Sequence, residues 1–91
     1  MDYSGITAEQ ARRLKKLNER IEEAAIPPSI LDESLNIATW NIRDFGKVTR
    51  SEDGILLIAQ VLYQFDLIAI TEVRDNLKDL QRVLQRLGPY W

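Results

Sequence analysis

The chain has 91 residues and a formal net charge of −2, which bounds it to one domain near the lower size limit for independent folding. With 45% hydrophobic and 29% charged residues, its composition is globular and not that of a disordered tail. The charge balance excludes a nucleic-acid binder held by bulk positive charge, while leaving room for a local basic patch. There is no cysteine and no histidine, so these residues supply no disulfide, thiolate metal site, imidazole base or His-ligated zinc.

Met1-Asp2-Tyr3-Ser4 lacks the basic and apolar regions of a secretory signal, and no apolar run approaches the ~20 residues needed to span a bilayer. A cytoplasmic location is the expectation. Thr7-Ala8-Glu9-Gln10 fits a capping box, in which a threonine hydroxyl accepts an orphan amide and a glutamine reaches back. Leu14, Leu17, Ile21 and Ala24 then recur at helical spacing. Pro27-Pro28 ends that helix near Ala25, and residues 26–34 read as a linker. Residues 1–34 therefore form a leading helix and linker, and 35–91 the domain segment proper. The leading helix is either a packing helix or a surface for self-association; its heptad-like rhythm is too short for a coiled coil.

Leu35 to Ile42 is rich in β-branched and aromatic residues and predicts a strand. After a loop at Asp44-Phe45-Gly46-Lys47, Ser51 caps a second helix, with Ile55, Ile58, Ala59 and Leu62 along one face and further apolar surface at Leu56, Leu57 and Val61. Asp66 to Val73 predicts a second strand, apolar enough to be covered on both faces. Asp75 or Asn76 caps a third helix, with Leu77, Leu80, Val83, Leu84 and Leu87 inward and Gly88-Pro89 as its stop.

Strand, helix, strand within about forty residues is a βαβ unit with parallel strands. Asn41 and Glu72 then lie near strand carboxyl ends, the edge where open α/β sheets bind ligands. Two strands do not make a stable sheet, so the chain is expected to be a fragment or to complete its sheet through a partner.

Glu72 follows a run of apolar strand residues, where an uncompensated carboxylate is costly. A divalent cation would compensate it, and magnesium needs only one or two protein carboxylates, with water and phosphate filling the rest. Asn41 can orient phosphate or a metal-bound water without adding charge. Arg43 and Arg74 flank the same edge, where guanidinium groups fork onto phosphate oxygens. A purely structural reading stands beside this one: Glu72 pairs with Arg74 or Arg43, and the arginines pair with Asp44 and Asp75 as weak surface ion pairs.

The stretch Leu35-Asn36-Ile37-Ala38-Thr39-Trp40-Asn41-Ile42-Arg43-Asp44-Phe45-Gly46, followed by Phe65-Asp66-Leu67-Ile68-Ala69-Ile70-Thr71-Glu72-Val73-Arg74-Asp75, resembles the beginning of the endonuclease/exonuclease/phosphatase superfamily. The likeness is greatest to its DNase I branch, which carries N-I-R-x-F-G and E-V-R-D stretches at similar separation. It covers residues 35–91. It implies an α/β chain from the α+β sandwich class, the N-terminal βαβα segment of a DNase I-like four-layer fold, here preceded by an extra helix. It further implies that Glu72 binds the metal, that Asn41 helps hold metal and scissile phosphate, and that Arg43 and Arg74 touch DNA. Mg²⁺, or another divalent cation such as Mn²⁺ or Ca²⁺, is the implied cofactor.

Two positions depart from the family pattern. Thr71 stands where the family usually has glutamine, and the family's catalytic histidines, aspartate-and-asparagine pair and closing Ser-Asp-His motif have no counterpart in these residues. The expectation is a metal-dependent phosphodiesterase acting on DNA, of which this chain supplies one wall and is inactive alone. Alternatives are a phosphatase of the same superfamily acting on a lipid or small phosphoester, and a non-catalytic interaction module.

Overall fold

The computed structural model describes residues 1–30, 34–71, 73–74 and 76–91. Glu72 and Asp75, and part of the expected linker, lie outside the described residues. The element order is α1 (Ala8–Ala24), β1 (Ile37–Asn41), α2 (Glu52–Leu62), β2 (Leu67–Thr71) and α3 (Lys78–Leu87), an α/β arrangement.

The helix starts follow from local chemistry. The Thr7 hydroxyl accepts from the Gln10 amide at 3.1 Å, and the Gln10 side chain accepts from the Thr7 amide at 2.9 Å. This reciprocal pair satisfies two amides that the first turn leaves unpartnered. Ser51 caps α2 by accepting from the Gly54 amide at 3.1 Å, with Glu52 and Asp53 in the first turn, where the helix dipole favours negative charge. The third start differs from expectation: Leu77 occupies the cap position of α3 with no side-chain cap hydrogen bond. Asn76 instead accepts from the Lys78 amide at 3.0 Å, so its side chain turns the chain just ahead of the helix. Gly88, at φ 110, ends α3 and donates its amide to the Leu84 carbonyl at 3.1 Å.

β1 and β2 are parallel, with Ile37 opposite Leu67 and Asn41 opposite Thr71. Helices α2 and α3 pack together on one side of this pair. The core comprises Ile42, Phe45, Ile55, Ile58, Ala59, Leu62, Val83 and Leu87, flanked by half-buried Trp40, Ile68 and Ile70 from the strands.

The other sheet face is open. Ile37 is 62% and Leu67 59% exposed, and burial alternates along both strands. The expectation that β2 is covered on both faces is therefore corrected: every described element packed on the sheet comes from one side. α3 is also less fully inward than its sequence suggested. Val83 and Leu87 are buried and Leu80 half-buried, but Leu77 and Leu84 are exposed. A ten-residue helix against one neighbour buries only a narrow stripe, and positions at its margin stay in solvent.

The leading helix packs on α2. Leu14 is its buried anchor, and Gln10 and Arg13 reach Asp53 at 2.8 and 2.9 Å. Gln60 of α2 is buried and bonded at both its amide nitrogen and its amide oxygen, donating to Asn18 Oδ1 at 3.0 Å and accepting from the Tyr3 hydroxyl at 2.5 Å. Two segments ahead of the βαβ unit thus close over one polar side chain that would be costly to bury unpaired.

Candidate functional site

The described candidate residues gather at the strand carboxyl ends. Asn41 is the last residue of β1, exposed on the open sheet side, and its register partner Thr71 is the last residue of β2. Parallel pairing therefore brings Asn41 level with the residue that precedes Glu72. Glu72 itself lies outside the described residues.

Beyond Asn41 the chain makes a tight loop. Ile42 and Phe45 are buried, Phe45 completely, so the loop is anchored by two apolar side chains while Arg43 points outward between them. Asp44 takes a left-handed backbone, φ 55, a region that aspartate visits more readily than most residues. Gly46 follows at φ 88, and a Cβ there would run into the Asn76 carbonyl oxygen and the Arg74 side chain. Only glycine permits that approach. The Arg74 amide donates to the Phe45 carbonyl at 2.9 Å. The loops after β1 and β2 are thus joined backbone to backbone, and the two arginines they carry share one edge of the molecule.

At that edge Asp44 lies between the arginines. Its carboxylate oxygens stand 3.9 Å from Arg43 Nε and 4.0 Å from Arg74 Nη2. The Arg43 side chain is 95% exposed, that of Arg74 52% and that of Asp44 40%. Pairs this long and this wet hold their partners weakly, so both guanidinium groups can engage another anion.

A second layer supports the loop. The Arg50 side chain donates to the Arg43 carbonyl and lies over the Phe45 ring, 5.9 Å from its centroid, within range of a cation–π attraction. The Arg50 amide donates to Asp79 Oδ2 at 3.0 Å, and its carbonyl accepts from Arg82 Nη1 at 2.7 Å. Asp79 is 4% exposed and receives a further bond from Arg82 at 2.9 Å. Arg82 also reaches Glu52 at 2.5 Å, and the Glu52 carboxylate, ahead of Asp79, holds its guanidinium above the ordinary value. The sequence reading missed Asp79, Arg50 and the double contact of Asp44. A signal for the first existed: Asp79 occupies the first turn of α3, where a carboxylate is favoured.

Among the described residues no group of three or more His, Cys, Asp or Glu could hold a metal ion. Asn41 offers one exposed amide oxygen at the sheet edge, a hard donor of the kind magnesium accepts. A cleft of about 290 Å³ opens beside the loop, lined by Arg43, Asp44, Val48 and Arg50. A larger cleft of about 1120 Å³ lies among Met1, Asp2, α3 and residues 88–91. Its lining contains no arginine or lysine.

Part of the chain is similar to deoxyribonuclease-1 of Equus caballus, with 42% identity over 57 residues. The match takes in 60% of this chain and 20% of that protein, so the chain spans about a fifth of the length of the curated relative it matches. No protein family model matches the chain, and no solved structure matches it. The match supports a DNase I-like relationship for the matched part. No helix among the described residues is long and apolar enough to cross a membrane.

Proposed function

We propose that this chain forms one wall of a metal-dependent phosphodiesterase site whose substrate is DNA. The observation that carries the reading is the joined strand-end edge. Asn41 ends β1 level with the residue before Glu72, and the same two loops set Arg43 and Arg74 on either side of the Asp44 carboxylate. The partial likeness to a deoxyribonuclease favours DNA over other phosphoesters.

In this reading Glu72 and Asn41 hold a divalent cation, with Mg²⁺ the expected ion. Their donor chemistry suits it: one carboxylate and one amide oxygen, leaving positions for water and phosphate. When bound, such an ion neutralises charge on the phosphoryl oxygens. Arg43 and Arg74 clamp backbone phosphates on either side and fix the strand without reading bases. A chain without histidine does not supply the imidazole base that this chemistry commonly uses, so residues beyond this wall prepare the attacking water.

The test is duplex DNA binding by the 91-residue chain, followed by fluorescence anisotropy with and without Mg²⁺. Arg43→Gln and Arg74→Gln are each expected to weaken binding and to reduce the slope of log K against log salt by about 1. Glu72→Gln is expected to remove the Mg²⁺-dependent part. Affinity indifferent to both arginines would sink the DNA reading. Mg²⁺-dependent nicking of plasmid by this chain alone, lost in Glu72→Ala, would overturn the assignment of one wall only.

A further inference from the structure

We propose that Asp44 is a built-in competitor for the phosphate position, a carboxylate that occupies the space between Arg43 and Arg74 and sets how tightly that pair takes a DNA phosphate. The inference rests on the phosphodiesterase reading above and adds a residue that determines its substrate affinity.

Three observations place Asp44 in this role. Its two carboxylate oxygens are divided between the guanidinium groups, one facing Arg43 Nε at 3.9 Å and the other Arg74 Nη2 at 4.0 Å. An anion shared by two guanidinium groups is the arrangement a bound phosphate would make, and the carboxylate stands in for it. Both distances exceed the 2.7–2.9 Å range (about 1 Å shorter) of a charge-assisted hydrogen bond, so the competitor holds its partners loosely. A phosphate, with more oxygens and more charge, can displace it.

The placement is also enforced by the backbone. Asp44 sits in the left-handed region at φ 55, between the buried side chains of Ile42 and Phe45. Lys47 donates its amide to the Asp44 carbonyl at 2.9 Å and Arg74 donates to that of Phe45 at 2.9 Å. The main chain at 44 is therefore held, and the carboxylate moves aside only by rotating its side chain. The cleft beside it, about 290 Å³ and lined by Arg43, Asp44, Val48 and Arg50, gives an incoming phosphate access from solvent. Neutralising Asp44 removes a negative charge from the position a phosphate must approach and frees both arginines, while leaving them in place.

The test measures duplex DNA binding in EDTA, so that no cation contributes, for the full chain, Asp44→Asn, Asp44→Gly, and each of these with Arg43→Gln and Arg74→Gln. Asparagine and glycine both accept the left-handed backbone, and circular dichroism confirms that each variant keeps its fold. Both Asp44 variants are expected to bind about three- to tenfold more tightly, with most of the gain gone once the arginines are replaced. An unchanged or lowered affinity in both Asp44 variants, while the arginine replacements still weaken binding, overturns the competitor role and leaves the phosphodiesterase reading intact. A gain that persists undiminished without the arginines also overturns it, because it would report general charge repulsion. No binding by any variant in EDTA overturns the competitor role, and binding indifferent to the arginines removes both readings together.

Discussion

On the α2–α3 side, Arg82 meets Asp79 at 2.9 Å and Glu52 at 2.5 Å; at the strand-end edge, Arg43 and Arg74 meet Asp44 at 3.9 and 4.0 Å. Both are contacts between arginine and carboxylate. The surroundings differ: Asp79 is buried and the Arg82 side chain is 25% exposed, whereas the Arg43 side chain is 95% exposed. A buried carboxylate must be matched bond for bond, and Asp79 is, by the Arg50 amide and the Arg82 guanidinium. An exposed one need not be, because water serves it. The tight pairs hold the loop in shape, and the loose ones leave two cations free to exchange partners. Arg50 connects the two regions: its amide belongs to the buried network and its side chain to the carbonyl of Arg43.

The comparison can be broken at its strong side first. Asp79→Ala leaves the Arg50 amide and Arg82 without their buried acceptor, and is expected to cost about 3 kcal/mol or more of folding stability, read by urea unfolding. A loss below 1 kcal/mol (roughly that of an exposed pair) would erase the distinction drawn here.

An intermediate effect is expected at Asp66, which receives the Ser29 hydroxyl and the Asn36 amide, the latter at 2.8 Å, and so ties the segment before β1 to the start of β2. These bonds, the Ser29 hydroxyl first, hold its carboxyl below the ordinary 3.8. A depressed folded-state pKa contributes stability that is present above 3.8 and lost as pH falls through the folded value. Thermal unfolding should therefore show an acid-side loss beginning below pH 4 (roughly the ordinary carboxyl value) that Asp66→Asn diminishes. An acid limb identical in the variant would exclude this residue as a source.

The smallest effect belongs to the edge. Arg43→Gln and Arg74→Gln are each expected to change folding stability by less than about 0.5 kcal/mol, even where they weaken DNA binding. A large stability loss in either would mean that its contact with Asp44 is structural after all, and would bring the two regions back to one kind.

Much of the element order was legible in the residues. The Thr7/Gln10 box, the Ser51 cap and Gly88 announce helix ends because capping is chemistry between neighbours in sequence. The parallel pair followed from a helix between two short apolar runs. The faces of β2 and the margins of α3 were not legible, since Leu67, Leu77 and Leu84 read the same whether or not anything covers them. At the candidate site, Asn41, Arg43 and Arg74 were identified from their motifs, and the structure places all three at one edge. Asp44 was read only as a possible pairing partner. Its contact with both arginines depends on two loops separated by some thirty residues of sequence, brought together where Gly46 meets Asn76.

What these residues determine by themselves is local: where helices start and stop, which segments are extended, and which side chains carry a charge or an amide. Hydrogen-bonding capacity and backbone preference belong to short stretches of chain and are written there. Which face of the sheet is covered, which carboxylate is buried and matched, and which anion stands between Arg43 and Arg74 were decided only by the tertiary structure. Burial and charge proximity are properties of distance in space, and the packing of α2 and α3 on one side of two strands sets those distances.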